Sequence, residues 1–352
     1  MPEAAYVTAL LADLDENLSS PLQEAIRHRP LHSIFFGGGT PSLFSPQALE
    51  AILEGVQQRL SLPADAEITL EANPGTVEQE RFKAYRSLGI NRLSLGIQSL
   101  QDSKLKILGR IHDREAAIRA VKTAQDGGFE NTNIDLMYGL PQQSKAEALQ
   151  DVAAGLALQS THFSWYQLTL EPNTAFYHTR PPLPEDDAIW DMQTEGQALL
   201  SAHGFKQYEV SAYSQSGREC QHNLNYWQFG DYLGIGAGAH SKITDWKQQG
   251  VTRHWQVKNP RDYLDPTKKK TAETRVVASE DLALEFMLNA LRLTDGVPLR
   301  LFEERTGLTA AVIEPILAEA RKKGLLAKDP AALTPTDFGK RFLNDLTGLF
   351  LP

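Results

Sequence analysis

Residues 31–42 read LHSIFFGGGTPS. The apolar run over 31–36 predicts a strand, and the three glycines with Thr40 and Pro41 predict a sharp turn directly after it. The same pattern recurs down the chain. EITLEANPG (67–75), INRLSLGIQSL (90–100), NTNIDLMYGLP (131–141) and HFSWYQLTLEP (162–172) each read as a strand running into a polar or glycine-bearing turn. Helical segments separate them: 45–60, with Ser45 as N-cap and Pro46 at the first helical position, then 76–88 with Gly89 beyond its end, 113–127 and 144–158. Five strands alternating with helices over short connections imply parallel strands joined by right-handed crossovers. A doubly wound sheet and a (β/α) barrel both satisfy that pattern. The polar residues favour the barrel, because they cluster just after successive strands: 37–40, Glu71 and Asn73, Gln98, Asp135 and Gly139, Thr169 and Glu171.

Outward from this block the reading changes. Upstream, 2–28 has a helical period, with Tyr6, Leu10, Leu14 and Leu18 on one side. Downstream, Pro181, Pro182 and Pro184 mark a break, and 185–203 is helical with Gly204 beyond its end. The stretch CQHNLNYWQFGDYLGIGAGAHSK (220–242) is glycine-rich and aromatic, and 245–275 is polar and irregular, read as a solvated loop or short strands. From 279 three amphipathic segments precede a strand–turn–strand and a helix, the outline of a winged-helix α+β module. Its third segment carries Arg321, Lys322 and Lys323 only at its far end, beside Glu314 and Glu319, so a packing or substrate-covering role is expected rather than DNA recognition. The expected divisions are 1–172, 173–278 and 279–352.

The chain has 352 residues and a formal net charge of −9, so neither nucleic acid nor an anionic membrane is an expected partner. A single cysteine, Cys220, excludes an intramolecular disulfide and any three-cysteine metal site, and fits the cytoplasm. The opening residues do not read as a signal peptide, and no run of 18 apolar residues predicts a membrane span.

Several residues are candidates for chemistry. Gly38 and Gly39 allow a ligand close to backbone N–H groups, although a plain tight turn uses glycines equally well. Glu71, Gln98 and Asp135 are polar groups in apolar strands, where they need partners. A ligand with amino, carboxylate and ribose parts would supply them, and so would neighbouring loops. Arg110 suits a ligand carboxylate or a surface ion pair. His222 and His240 are either structural or contacts for a metal or haem, and Cys220 beside His222 is weak evidence for zinc.

Taken in order, FFGGGTPS, EANPG, NRLSLGIQS, LGRIH, NIDLMYGLP, SWYQLTLEPNT and HNLNYWQFGDYLGIGAGAH resemble the oxygen-independent coproporphyrinogen III oxidase-like branch of the radical S-adenosylmethionine (SAM) proteins. Within it they look most like the HemW-type haem chaperones, over roughly residues 6–350. The resemblance implies an α/β fold: an incomplete parallel (β/α) barrel of radical SAM type with a C-terminal winged-helix-like domain. It implies SAM and a [4Fe–4S] cluster as cofactors. SAM contacts would come from Gly38, Gly39, Thr40, Glu71, Gln98, Arg110, Asp135, Thr169 and His240. HNLNYW is similar to the HNxxYW signature of the chaperones and makes His222 the candidate haem contact. The implied function is haem delivery to haem-accepting proteins. The alternatives are oxidative decarboxylation of coproporphyrinogen III and a cluster-less binding module without catalysis. The sequence departs from the family at one point. The family's Cys-x3-Cys-x2-Cys, which follows its first barrel strand, is missing here together with that strand. The expectation is a true start about 20–40 residues upstream, judged from the reach of the missing segment, with a cluster-less paralogue or a truncated chain as the alternatives.

Overall fold

The computed structural model describes residues 2–19, 23–245 and 250–351. Two compact units emerge. They are not consecutive in the chain: one comprises Ser33–Pro46 and Glu67–Glu219, the other Met1–His32, Gln47–Ala66 and Cys220–Pro352.

The first unit is built on a seven-stranded sheet. Strands β1 (Ser33–Phe36), β2 (Glu67–Ala72), β3 (Arg92–Gln98), β4 (Asn131–Tyr138) and β5 (His162–Gln167) lie side by side in chain order, all parallel. This is the expected incomplete barrel. A hairpin that the sequence reading passed over, β6 (Lys206–Glu209) and β7 (Ala212–Ser214), closes one edge antiparallel, with β7 against β5. Helices Thr76–Ser87, Arg114–Asp126 and Lys145–Leu156 join the strands. Their starts obey local chemistry. Asp113 caps the second by accepting from Ala116 N, and Ser144 with Glu147 forms a capping box on the third. A six-residue helix, Asp102–Ile107, precedes the second and was not expected.

The sheet has two unlike faces. In-register neighbours Ile134, Leu95 and Phe163, then Leu136 and Trp165, share one face and are fully buried. Helices pack on it so closely that a Cβ at Gly196 would lie 1.9 Å from the Trp165 ring, and one at Gly155 within 3.1 Å of Phe163, Ile134 and Leu136. The opposite face carries Glu71, Ser94, Asn133, Asp135, His162, Ser164 and Tyr166. Strand alternation alone produces this division.

In the second unit, the expected long N-terminal helix is described as Glu3–Ser19 and Gln23–Arg27, residues 20–22 lying outside the described residues. Leu10, Leu14 and Leu18 are buried along it. The region read as a solvated loop or short strands holds strands: a three-stranded antiparallel meander, β8 (His240–Asp245), β9 (Gly250–Gln256) and β10 (Thr271–Val276), with β9 in the centre. It is not wholly solvated, since Val251, His254 and Gln256 of β9 are buried. The tail places helices Ser279–Ala290, Leu299–Thr306 and Glu314–Lys322 around Phe286, Phe302 and Leu317, and a short pairing of β11 (Val297–Pro298) with β12 (Ala332–Leu333) forms the strand element of the winged-helix outline. No described helix is long and apolar enough to cross a membrane.

Candidate functional site

The C-terminal strand ends of the first unit hold a set of polar groups on the sheet's polar face. After β1 the chain turns through Gly38 and Gly39, at φ +81° and +58°, a left-handed backbone that favours glycine. The Gly38 N–H donates to Glu71 Oε2 on β2 at 3.1 Å, which ties this turn to the neighbouring strand. Thr40 Oγ1 accepts from Asn73 Nδ2 at a long 3.4 Å. Gln98 ends β3 at φ +70°, an uncommon backbone for a residue with a Cβ. The buried Asp151 braces it from helix Lys145–Leu156, accepting from Ser99 Oγ at 2.6 Å and Leu100 N at 2.9 Å. Gln98 itself accepts from the Tyr166 hydroxyl at 2.7 Å.

Electrostatics knit these groups together. Burial raises the Glu71 carboxyl above its usual range, and the Gly38 amide offsets this only in part. Asp135 on β4 is pushed up to about 6. Burial is the chief cause and the negative charge of Glu71 adds to it, against hydrogen bonds from Asn133 and Ser164 and the Arg92 charge. The Tyr166 hydroxyl is pushed up to about 12 by burial and by Asp135, with Arg110 pulling it the other way. Gly38, Thr40, Glu71, Gln98, Asp135 and Arg110 therefore act on one neighbourhood. Thr169 is exposed and donates to Glu171 at 2.9 Å rather than to these groups. The reading from sequence placed Asn73 at a strand end without giving it a role, and missed Asn133, Ser164, Tyr166 and Asp151. For three of them the signal was present as polar residues two apart on one strand, in N-x-N-x-D (131–135) and H-x-S-x-Y (162–166).

The remaining two candidates lie in the second unit. His240 is exposed at the start of β8, its ring stacked on Trp255 with centroids 5.9 Å apart. The stretch before it, GIGAGA (234–239), is pinned by the first helix: Gly236 N donates to Asp13 Oδ2 and Ala237 N to the Tyr6 hydroxyl, both at 3.1 Å. His222 lies on helix Gln221–Trp227, partly exposed, edge-on to Tyr226 at 4.9 Å, and Tyr226 packs on Tyr232 at 4.4 Å.

Comparison with known proteins gives this arrangement a class. Residues 16–153 match the Radical SAM superfamily, and residues 277–342 match the HemN C-terminal domain. The solved structure of coproporphyrinogen III oxidase (HemN) from Escherichia coli superposes with a TM-score of 0.79 over 99% of this chain and 83% of that one. At 21% identity this shows a common fold and nothing finer. The chain is thus of the radical SAM class, with the half-barrel of that fold. It is 47% identical to the haem chaperone HemW of Escherichia coli and 45% to that of Haemophilus influenzae, each over 100% of this chain and 91% of the relative. The corresponding Bacillus subtilis protein is 34% identical over 96% of this chain and 92% of its own length. The chain belongs to the HemW family.

The residues present fit one of the family's cofactors and not the other. Two carboxylates raised by burial, a glycine turn with open space at Gly38 and Gly39, and Arg110 at the rim suit a ligand that donates hydrogen bonds and carries a carboxylate, as SAM does. A [4Fe–4S] cluster of this class needs three thiolates. The sequence offers Cys220 alone, which is buried, and no group of three His, Cys, Asp or Glu among the described residues is placed to hold a metal. No step through a cluster follows from these residues.

Proposed function

We propose that this chain is a haem-binding chaperone that passes haem to acceptor proteins, and that its half-barrel binds SAM. The observation that carries the haem reading is HNLNYW on helix Gln221–Trp227, in a chain 45–47% identical over its full length to proteins named haem chaperones. His222 has the chemistry of a haem contact: an imidazole, partly exposed, beside the aromatic rings of Tyr226 and Tyr232. In the half-barrel, Glu71 and Asp135 accept hydrogen bonds from the ligand's amino and ribose groups. The backbone at Gly38 and Gly39 and the side chain of Thr40 line the approach, Gln98 contributes its amide, and Arg110 meets the carboxylate; Thr169 is a further contact. SAM supplies a 5′-deoxyadenosyl group when reductively cleaved, a step that needs a cluster held by three thiolates, and the sequence carries Cys220 alone. The proposed division of labour follows the chain, with SAM in 1–172, haem through 173–278 and a covering module in 279–352. The single cysteine and the absence of a described membrane-spanning helix are compatible with the cytoplasm.

A haem titration followed at the Soret band tests the reading. A saturable shift in the wild type that is lost or strongly weakened in His222→Ala is the expected result. No shift, or a shift indifferent to His222, overturns the haem assignment.

A further inference from the structure

Behind Asp135 runs a buried set of hydrogen bonds that joins side chains from four strands of the sheet. The Tyr208 hydroxyl on β6 lies 2.9 Å from His162 Nε2 on β5. His162 Nδ1 lies 2.6 Å from Asn133 Oδ1 on β4. Asn133 Nδ2 then donates to Asp135 Oδ1 at 2.7 Å and to Ser94 Oγ on β3 at 2.8 Å. Ser164 Oγ lies 3.1 Å from Asn133 Oδ1.

The direction of every bond follows from its end point. An ionised carboxylate only accepts, so the Asn133 atom facing Asp135 is the NH2 group. The Asn133 carbonyl therefore faces His162, which must donate from Nδ1. A neutral imidazole with its proton there accepts at Nε2, and Tyr208 must donate to it. These orientations are assigned from the network. Burial, with the charge of Arg92, holds His162 well below its usual range and keeps it neutral, as the chain requires. Tyr208, His162 and Asn133 are all buried, so no water competes for these bonds.

We propose that Asn133 is a positioning residue for the ligand site: anchored from behind by His162 and Tyr208, it fixes the Asp135 carboxylate in the orientation that receives the ligand's hydroxyl groups. This deepens the reading of Asp135 as a SAM contact and rests on it. From Tyr208 through His162 to Asn133 each link points its donor toward Asp135, and a side branch from Asn133 reaches Ser94. The charged and titratable groups around Asp135 are Glu71 from β2, Arg92 from β3 and Tyr166 from β5, and the first two act on it in opposite senses. Removing the Asn133 amide leaves Glu71 and burial less opposed, so the Asp135 carboxyl holds its proton to higher pH.

The test uses the full chain, with S-adenosylhomocysteine as probe in calorimetry and the Asp135 carboxyl followed by carbon NMR across pH. Asn133→Leu keeps the volume and removes the amide. The expected outcome is about tenfold weaker binding at neutral pH and an Asp135 midpoint raised by about one pH unit. Tyr208→Phe removes only the far donor and should move both readouts the same way by about twofold or less; it carries the test if Asn133→Leu does not fold. Folded variants that lose thermal stability but leave the Asp135 midpoint and the affinity unchanged overturn the proposal, since a general strand-to-strand staple moves the first alone. Asp135→Asn separates the two ideas. If it leaves binding intact, or the wild type does not bind the probe, the SAM reading of this carboxylate fails. The NMR titration still reports whether Asn133 governs Asp135.

Discussion

Asp231 and Asp135 are both carboxylates withdrawn from water, one in each unit, and they titrate in opposite directions. Burial raises both. Asp231 ends below the usual range because the Lys242 charge, the Thr244 amide and the Thr244 hydroxyl outweigh burial. Its oxygens accept from Lys242 Nζ at 2.9 Å, Thr244 N at 2.8 Å and Thr244 Oγ1 at 2.7 Å, and they pair with Arg29. Among the described residues the donors to Asp135 are neutral, Asn133 and Ser164, and a second carboxylate, Glu71, acts on it. A carboxylate offers about four acceptor positions. Where cations and amides fill them, the group is structural and closed. Where they are left partly open at some expense in stability, the group is poised to receive something else. The contrast marks which of two buried acids is a site.

The largest test breaks the closed cluster. Lys242 is buried, with its ammonium 4.0 Å from the Phe229 ring centroid and bonded to Phe229 O as well as Asp231. Lys242→Met strands Asp231 without its main counter-charge and is expected to destabilise the chain by about 4 kcal/mol in urea unfolding. Adding Asp231→Asn to that variant should restore part of the loss, because the uncompensated charge is then gone.

The open site should behave in the opposite sense. Asp135 holds its proton to about pH 6 when folded, against about 3.9 when unfolded. Between those values the folded state binds more protons, so the stability of the wild type falls as pH rises from 4 to 6. Asp135→Asn removes that dependence. It is expected to be more stable than the wild type above pH 6, by at most about 3 kcal/mol less the hydrogen bonds it forfeits. The difference should vanish below pH 4 in thermal unfolding. A variant that gains stability and loses ligand binding is the signature of a site, and equal stability at pH 4 and pH 8 would contradict it.

Smaller effects sharpen the picture at the glycine turn. Glu71→Ala removes the acceptor of the Gly38 N–H and should loosen 37–40 by about 1 kcal/mol, seen as several-fold faster exchange of the Gly38 amide. Thr40→Val removes the long bond from Asn73, and about 0.5 kcal/mol or less is expected, near the limit of unfolding measurements.

Much of the half-barrel could be read in advance because its signals are local. Asp113, Ser144 and Gly89 sit at helix ends as their chemistry requires. The strands β1 to β5 fall inside the apolar runs, and Glu71, Gln98 and Asp135 were identified because a polar residue in such a run needs a partner. The hairpin β6–β7 was not legible, and for the meander β8–β10 short strands were only one of two readings, without bounds or pairing. Their segments, such as KQYE and TAETRV, carry too few apolar residues to show a period. Pairing with β5 and β9 supplies what the pattern lacks.

The sequence by itself determined the alternation of strand and helix, the family, the glycine turn and the set of polar strand ends, since each is written in neighbouring residues. Only the tertiary structure decided what those polar groups do to one another. Register set Asn133 beside both Ser94 and His162, and folding brought Tyr208 to a histidine 46 residues away and Asp151 to the turn after Gln98. Burial then made Asp135 weakly acidic while Lys242 kept Asp231 strongly so. A residue type fixes which bonds a side chain is able to make. Its distance from water and from the nearest opposite charge fixes which it does make, and those distances belong to the fold.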